Sequence, residues 1–233
     1  MKRRIKISLV LLLAGMAVIA AVPFLKEKRA EKKYENDFKK IQESVTEKQS
    51  DVNDLVKKNK DCIGYVEIPR TTISYPVMQT KDKPDFYLNH DFNRNYSFYG
   101  TPYLSAYCDV KKSDNLIIYG HNINGGKMFG ALEQYKDKEF FNKHKKIYFT
   151  TDKKMEYEVF AVMSVNIHEF EYWKFVMAKD EKEYDAFIDK VEEHSLWRQE
   201  NKPKYGEQML MLSTCDNGKG DDWRIVVIER LSK

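Results

Sequence analysis

Cysteine is scarce in this sequence, and the few cysteines present are far apart. The chain has only Cys62, Cys108 and Cys215, and no two of them show the C-x-x-C spacing that is typical of metal ligands. A zinc site needs paired ligands at close spacing, so we expect no bound metal, and no motif indicates another cofactor. An odd number of cysteines predicts at least one free thiol, and a disulfide between Cys62 and Cys108 stays open at this point.

The sequence also lacks a strong excess of charge of either sign. Lysine and arginine together number 40 and aspartate and glutamate 36, which gives a net charge of +4. These charges are mixed along the chain rather than clustered among aromatic residues, so the sequence gives no reason to expect a nucleic-acid partner. With 42% hydrophobic residues the composition is globular, and 233 residues are enough for one ordinary domain with an appendage.

Charged residues are absent between residues 7 and 25, directly after a basic tail over residues 1–6. As a helix this run would be roughly 28 Å long, close to the ~30 Å hydrocarbon core of a bilayer. A cleaved signal peptide is the alternative, but its apolar region is shorter, about 7–15 residues, and the best cleavage match is a loose Val18-Ile-Ala20. We therefore predict a transmembrane anchor over 7–25. Basic residues follow it as well, so charge alone does not fix its orientation.

Residues 26–60 are highly charged, and they predict a helical segment next to the membrane. Apolar residues recur there at helical spacing as one narrow stripe, formed by Tyr34, Phe38, Ile41, Val45, Val52 and Leu55. The stripe fits a solvated stalk or a coiled coil, and it also fits one or two helices that pack on the domain behind them. We favour packing, because the repeat is short for a coiled coil.

From residue 61 to residue 233 the pattern changes to short β-branched and aromatic segments that are separated by turns. The clearest of them are Ile63–Ile68, Leu116–Tyr119, Lys146–Thr150, Tyr157–Met163, Gln208–Thr214 and Ile225–Ile228. Regularly spaced short strands of this kind predict a β-barrel or a β-sandwich.

Two longer segments of this domain predict helices whose apolar faces belong to the core. The first is Met128–His144, with a break near Asp137. The second is Asp180–Leu196, and it opens with Asp180-Glu-Lys-Glu183, a helix-capping arrangement.

Residues 209–231 comprise two apolar runs around a polar, glycine-containing loop. The run Met209–Cys215 predicts a buried strand, and Arg224–Leu231 predicts a strand that returns beside it. Cys215 ends the first strand and Arg224 begins the second, so both belong to one rim of the sheet. A thiol at the edge of an apolar run and next to a cation is a candidate nucleophile, because a positive charge favours the thiolate.

A nucleophilic cysteine needs a proton carrier, and the sequence has five histidines. His121 is the best candidate, because it follows the strand-like Leu116–Gly120 and precedes the turn-forming Asn122–Gly126. The other four histidines lie in predicted helices or in polar loops, where a structural role is the simpler interpretation.

Together these residues resemble the signature of the sortases, which are membrane-anchored cysteine transpeptidases of Gram-positive bacteria. The resemblance rests on Leu212-Ser-Thr-Cys215 with Arg224 nine positions later, and on Tyr119-Gly-His-Asn122. Class B in particular is indicated by Gly126–Leu132 and by Asp137–Phe141.

The resemblance implies an eight-stranded β-barrel with helical additions, namely N-terminal helices and a long helix between two late strands. It also implies that Cys215 is the nucleophile, His121 the acid/base and Arg224 the stabiliser of the tetrahedral intermediate. Ser213 lies two residues before Cys215, on the same face of a strand, and we predict that Ser213 and Thr214 bind substrate.

The implied reaction cleaves the C-terminal sorting signal of a secreted protein at a Thr–X bond through a thioester. The protein is then transferred to an amine of a peptidoglycan precursor, a cross-bridge or a pilin subunit. The 61–233 domain is expected to catalyse this outside the cell, on a single-pass anchor over 7–25. The sorting motif, the amine acceptor, the biological role and the oligomeric state stay open.

Two other functions fit parts of the pattern. A wall-cleaving cysteine peptidase of the NlpC/P60 kind has its cysteine at the start of a helix and its histidine later in the chain, the reverse of the order here. A non-catalytic, membrane-anchored binding module would have no need of Cys215.

Overall fold

The computed structural model describes most of the chain, namely residues 21–23, 25–26, 28–43 and 52–232. The chain divides into two compact units, 1–44 and 45–233. In the first unit, residues 28–43 form one helix, α1, as the apolar stripe predicts. Tyr34 and Phe38 lie one turn apart on α1, and their ring centroids are 4.7 Å apart.

The predicted anchor over 7–25 lies largely outside the described residues. Among the described residues, no helix combines the length and the apolar character needed to cross a bilayer. Val45 of the predicted stripe also lies outside them. The later part of the stripe is a separate short helix, α2, which buries Val52 and Leu55 and contacts the first strand of the second unit.

The second unit is built mainly from strands joined by short helices. Its described strands are β1 (Cys62–Glu67), β2 (Ser74–Met78), β3 (Tyr103–Leu104), β4 (Asn115–Tyr119), β5 (Asn122–Ile123), β6 (Lys127–Met128), β7 (Lys146–Thr150), β8 (Lys154–Asn166), β9 (Ser195–Arg198), β10 (Met209–Cys215) and β11 (Trp223–Leu231). Its described α-helices are α2 (Val52–Lys58), α3 (Lys138–Lys143) and α4 (Glu181–Glu193). Short 3-10 helices are Phe86–Leu88, Asn124–Gly126, Gly130–Lys136 and Tyr172–Lys174.

Eight of these strands close into a mixed β-barrel. The strand order is β11-β10-β4-β3-β2-β1-β7-β8, and β8 pairs with β11 to complete the ring. β10 and β4 are parallel, as are β2 and β3, and the other pairs in the ring are antiparallel. β9 extends the sheet beyond β8. The eight-stranded barrel expected from the resemblance is confirmed, as is α4 between two late strands.

The core follows from continuous apolar runs on the strands that form the ring. Residues 209–212 of β10 and 225–228 of β11 are fully buried, because one face of each strand points into the barrel and the other is covered by neighbouring segments. The 3-10 helix Gly130–Lys136 contacts β11 and β8, and α4 contacts β8. The hydrophobic interior therefore continues through the wall of the barrel to these helices.

The segment Met128–His144 is not the single interrupted α-helix that the sequence predicts. The break at Asp137 is confirmed, because its side chain accepts a hydrogen bond from the Phe140 backbone N–H and so caps α3. Before the break the chain is a short strand followed by a 3-10 helix. Met128 pairs with Asn122 and has a φ of 51°, so it cannot belong to a right-handed α-helix. Gly130 then packs closely, since a Cβ there would lie 2.3 Å from the Ile123 carbonyl oxygen.

The second predicted helix is confirmed over Glu181–Glu193. The Asp180 side chain accepts a hydrogen bond from the Glu183 N–H, as the capping arrangement predicts. The prediction that the helix continues to Leu196 is wrong. Residues 195–198 pair with β8 instead, with Trp197 opposite Val162, because a strand there satisfies backbone groups on the free side of β8.

The cysteine pairing that the sequence left open is decided by the structure. Cys62 and Cys108 are both buried and form no disulfide. Each thiol donates instead to a nearby carbonyl, Cys62 to Gly64 and Cys108 to Asn115. Burial raises the pKa of Cys62 to about 11, against a smaller lowering by a backbone hydrogen bond at Gly64, so this thiol is an inert core residue.

Glu229 places a carboxyl group in the core near the far end of β11. It lies opposite Leu210 on one side and Val159 on the other, and it is fully buried. Neither of its side-chain oxygens has a hydrogen-bond partner in the part of the chain that the structure describes. Burial therefore raises the pKa of Glu229 well above the usual carboxyl value, with only a smaller opposing effect from its own backbone N–H.

Replacement of Glu229 by Gln should stabilise the protein at neutral pH. The folded state holds the Glu229 proton more tightly than the unfolded state, so wild-type stability falls as pH rises above about 4.5, the usual value. Glu229→Gln has no proton to lose, and we expect a gain on the order of 1–3 kcal/mol at pH 7 that shrinks towards pH 4.5. The melting temperature between pH 4.5 and 8 measures this, with the exposed Glu200→Gln as control. A pH-independent difference would contradict the prediction.

Candidate active site

Three predicted residues meet at one rim of the barrel. Cys215, the last residue of β10, lies directly opposite Arg224 in the antiparallel pair of β10 and β11, so the two Cα atoms are about 4.5–5.5 Å apart and both side chains point to one face. On its other side β10 runs parallel to β4, with Ser213 opposite Tyr119. The chain that leaves β4 therefore brings His121 to the same rim.

Cys215, His121 and Arg224 are each half-buried and line one cleft of about 610 Å³. Aromatic side chains from three different segments also line it: Tyr103, Tyr119, Tyr172 and Trp173. Leu88 and Ile167 add apolar surface, and Asp85 and Ser105 add polar groups. An open, mostly apolar cleft with a few converging polar groups is typical of a binding site.

The position of His121 depends on packing around the preceding glycine. A Cβ at Gly120 would lie 2.7 Å from the Phe129 ring, so only glycine permits this approach. The Phe129 N–H also donates to the His121 carbonyl. The His121 ring nitrogen Nε2 lies 2.7 Å from the Leu88 carbonyl oxygen. Because a carbonyl can only accept, Nε2 carries a proton, and in the neutral ring Nδ1 is the nitrogen with a free lone pair.

The Arg224 guanidinium is held against the loop that joins β10 and β11. Its Nη1 donates to the carbonyl oxygens of Asp221 and Trp223, at 2.5 and 2.9 Å. Because a guanidinium has five N–H donors in a fixed plane, two bonds from one nitrogen orient the group and leave donor capacity for a substrate oxygen. The sequence predicted the cation at this rim, and the structure adds the loop carbonyls that orient it.

The two predicted substrate-binding residues already have partners in the protein. Ser213 Oγ lies 2.7 Å from the Tyr172 hydroxyl, and Thr214 Oγ1 donates to the Gly120 carbonyl at 2.7 Å. Both residues line the cleft, although each is almost completely buried. Their substrate-binding role stays a prediction, and Thr214 also ties β10 to the residue that precedes His121.

Tyr172 is the site residue that sequence reasoning missed. It lies in the 3-10 helix Tyr172–Lys174, 43 residues before Cys215, and no spacing signal connects the two. Burial raises the pKa of Tyr172 to about 12, while the Ser213 hydrogen bond and the Arg224 charge oppose this effect. Tyr172 is therefore a neutral hydroxyl at working pH, and it can both donate and accept in the floor of the cleft.

Comparison with known proteins agrees with this geometry. The family model described as "Sortase domain" matches residues 66–232. The chain belongs to the sortase family. It is 31% identical to sortase B of Listeria monocytogenes, over 78% of this chain and 74% of that protein. It is 27% identical to sortase B of Staphylococcus aureus, over 99% of this chain and 95% of that protein.

A solved structure of the Staphylococcus aureus sortase B–substrate complex has a TM-score of 0.77 to this chain. It is 27% identical, and the match covers 90% of this chain and 99% of that one. This sortase is therefore a cysteine transpeptidase of the sortase B kind. The NlpC/P60 and non-catalytic alternatives are wrong, and Cys215 ends a strand rather than beginning a helix.

The buried contact between Ser213 and Tyr172 can be tested with a double-mutant cycle. We expect Ser213→Ala and Tyr172→Phe each to lower the free energy of unfolding by about 1 kcal/mol, because each leaves one buried hydroxyl without its partner. The double variant should lose less than the sum. Urea unfolding of the four proteins measures the coupling, and strict additivity would show that the hydrogen bond contributes nothing. If Ser213 also contacts substrate, Ser213→Ala raises KM for a sorting peptide.

Proposed function

We propose that this sortase cleaves the sorting signal of a secreted protein at a Thr–X bond and transfers the protein to an amine of the cell wall or of a pilin subunit. The observation that carries the proposal is the convergence of Cys215, His121 and Arg224 on one cleft at the barrel rim. The solved complex of a Staphylococcus aureus sortase B with its substrate supports direct binding of the substrate by a protein of this fold.

In the first half-reaction the Cys215 thiol passes its proton to His121, and the resulting thiolate attacks the carbonyl carbon of the threonine. The carbonyl oxygen becomes negative, and N–H donors of Arg224 stabilise it at the start of the neighbouring strand. Collapse of the intermediate breaks the C–N bond, and His121 gives a proton to the leaving amine. The product is a thioester between Cys215 and the threonine carbonyl.

In the second half-reaction an amine attacks the thioester carbon. His121, now without the proton it donated, accepts a proton from the attacking amine, and the Cys215 sulfur leaves. Water is the competing nucleophile, so hydrolysis is the side reaction. Peptidoglycan precursors, cross-bridges and pilin lysines all supply a primary amine of the required chemistry.

The place of the reaction is part of the same proposal. The 19 uncharged residues over 7–25 match the length that a helix needs to cross a bilayer. The catalytic unit follows this run in the sequence, and it can act on secreted proteins only if it lies outside the membrane. We propose a single-pass anchor with an extracellular catalytic domain.

Replacement of Cys215 by Ala should abolish both half-reactions. Without the sulfur no thioester can form, and we expect kcat/KM on a fluorogenic sorting peptide to fall by at least about 10³-fold with an unchanged melting temperature. Cys108→Ala is the matched control, since this thiol is buried in the core and does not line the cleft. Peptide cleavage by folded Cys215→Ala protein would rule out the proposed function.

Replacement of Arg224 by Lys should be a poor substitution although it keeps the positive charge. Lysine loses the planar donor set that can bond the loop carbonyls of Asp221 and Trp223 and still reach the developing oxyanion. We expect kcat/KM to fall about 10²–10³-fold, and further for Arg224→Ala. The matched control is Arg230→Lys, on the same strand but paired with Glu158 away from the cleft. Activity near wild type in Arg224→Lys would mean that Arg224 supplies charge alone.

A further inference from the structure

A set of hydrogen bonds and ion pairs connects the backbone carbonyl of Cys215 to the side chain of the next residue, Asp216. The Asn122 side-chain amide donates to the Cys215 carbonyl oxygen and to Glu133 Oε1, both at 2.8 Å. Glu133 Oε2 pairs with Lys136 Nζ at 2.7 Å, and Lys136 Nζ bonds Asp216 Oδ1 at 2.5 Å. Asp216 directly follows Cys215, so the chain of contacts closes on itself.

These contacts join three segments of the barrel rim. Asn122 follows His121, and Asp216 follows Cys215. Glu133 and Lys136 belong to the 3-10 helix Gly130–Lys136. The short helix thus adds a second side-chain connection between the histidine loop and the end of β10, beside the direct bonds from Asn122 to the Cys215 carbonyl and from Thr214 to the Gly120 carbonyl.

The Asp216 end of this network is anchored inside the protein. Asp216 is fully buried, and its second oxygen accepts from Ser164 Oγ at 2.7 Å. Burial acts to raise the pKa of Asp216, but the hydrogen bonds from Lys136 and Ser164 outweigh this effect. The pKa of Asp216 is therefore lower than usual, and the carboxyl is ionised at neutral pH. If Lys136 moved away, Asp216 would be left as a buried charge without its positively charged partner, which is unfavourable. The present arrangement of these groups is therefore strongly preferred.

None of these partner residues lines the cleft. Asn122, Glu133, Lys136, Asp216 and Ser164 all lie outside its wall, whereas Cys215 and His121 belong to it. A substitution in the network therefore changes the position and electrostatic surroundings of the reacting groups without removing a contact to substrate.

We propose that Lys136, together with Glu133 and Asp216, is a positioning group that holds the Cys215 sulfur in reach of His121. The proposal rests on the proposed function for its catalytic meaning. A shift of about 1 Å between reacting groups can lower the rate on the order of 10²-fold. Side-chain bonds that fix both the histidine loop and the end of β10 can therefore have a large effect on the rate.

The first test compares Lys136→Met with Lys136→Arg in steady-state kinetics. Met removes the bonds to both carboxylates, and we expect kcat on a sorting peptide to fall about 10–100-fold with KM changed less than twofold. Arg retains the charge and the donors and should recover most of the rate. The matched control is Lys143→Met, which breaks an exposed lysine–glutamate pair with Glu139 on α3 and should leave kcat unchanged.

The second test needs no substrate, so it separates this proposal from the proposed function. Iodoacetamide alkylation of Cys215 at pH 7, followed by peptide mass mapping, should be about 3–10-fold slower in Lys136→Met, because a sulfur displaced from His121 loses the group that accepts its proton. A purely structural loosening would act in the opposite direction, since it would expose Cys215 and also the buried Cys62 and Cys108 to the reagent.

Glu133→Gln provides a variant that keeps the buried Lys136–Asp216 pair, and it decides the question if Lys136→Met fails to fold. We expect its kcat to fall about threefold or more, with KM changed less than twofold. The proposal would be overturned if folded Lys136→Met had the alkylation rate and the kcat of the wild-type protein. If Lys136→Met does not fold, the same result in folded Glu133→Gln would overturn it. Wild-type protein that cleaves no sorting peptide would instead overturn the proposed function, and the alkylation rates would still decide the role of Lys136.

Discussion

The register between β10 and β11 places Cys215 opposite Arg224, the two candidate catalytic residues of this strand pair, and the rest of the candidate site is arranged around it. With Cys215 opposite Arg224, the thiol and the guanidinium share one face by backbone hydrogen bonding alone. A slip of one residue would send one of them to the other face of the sheet. The slip is prevented by the continuous burial of residues 209–212 and 225–228 and by the closure of the ring through β8 and β11.

The two ends of this strand pair treat buried carboxyl groups in opposite ways. At the rim that carries Cys215, Asp216 is matched by Lys136 and Ser164, so it stays ionised and can hold its neighbours by charge-assisted bonds. At the far end, Glu229 is buried without a partner in the described chain, and its protonated form is favoured. The two pKa values shift in opposite directions because the neighbouring groups differ, since both side chains are buried carboxylic acids of one hairpin. The paired carboxylate, Asp216, lies next to the candidate nucleophile, whereas Glu229 lies towards the other end of β11.

The histidine reaches the rim by a different route from the cysteine and the arginine. It is carried by the loop after β4, and its position depends on Gly120 under the Phe129 ring and on the bond from its Nε2 to the Leu88 carbonyl. Loops are less rigid than paired strands. Side-chain contacts therefore have to fix the position of His121, whereas strand pairing fixes the position of Cys215. Thr214, which bonds the Gly120 carbonyl, and Asn122, which bonds the Cys215 carbonyl, connect the loop to β10 from both sides.

The sequence by itself determined the strand pair 209–231, the rim shared by Cys215 and Arg224, the candidate His121 and the cap at Asp180, because each depends on local periodicity or on a neighbour a few residues away. The short strand Lys127–Met128 and the strand at 195–198 were decided by tertiary structure, since pairing with β5 and with β8 overrides local helix propensity. Tyr172 beside Ser213 and Lys136 beside Asp216 join residues 41 and 80 positions apart. No local pattern records such a contact, because only closure of the barrel brings those segments together.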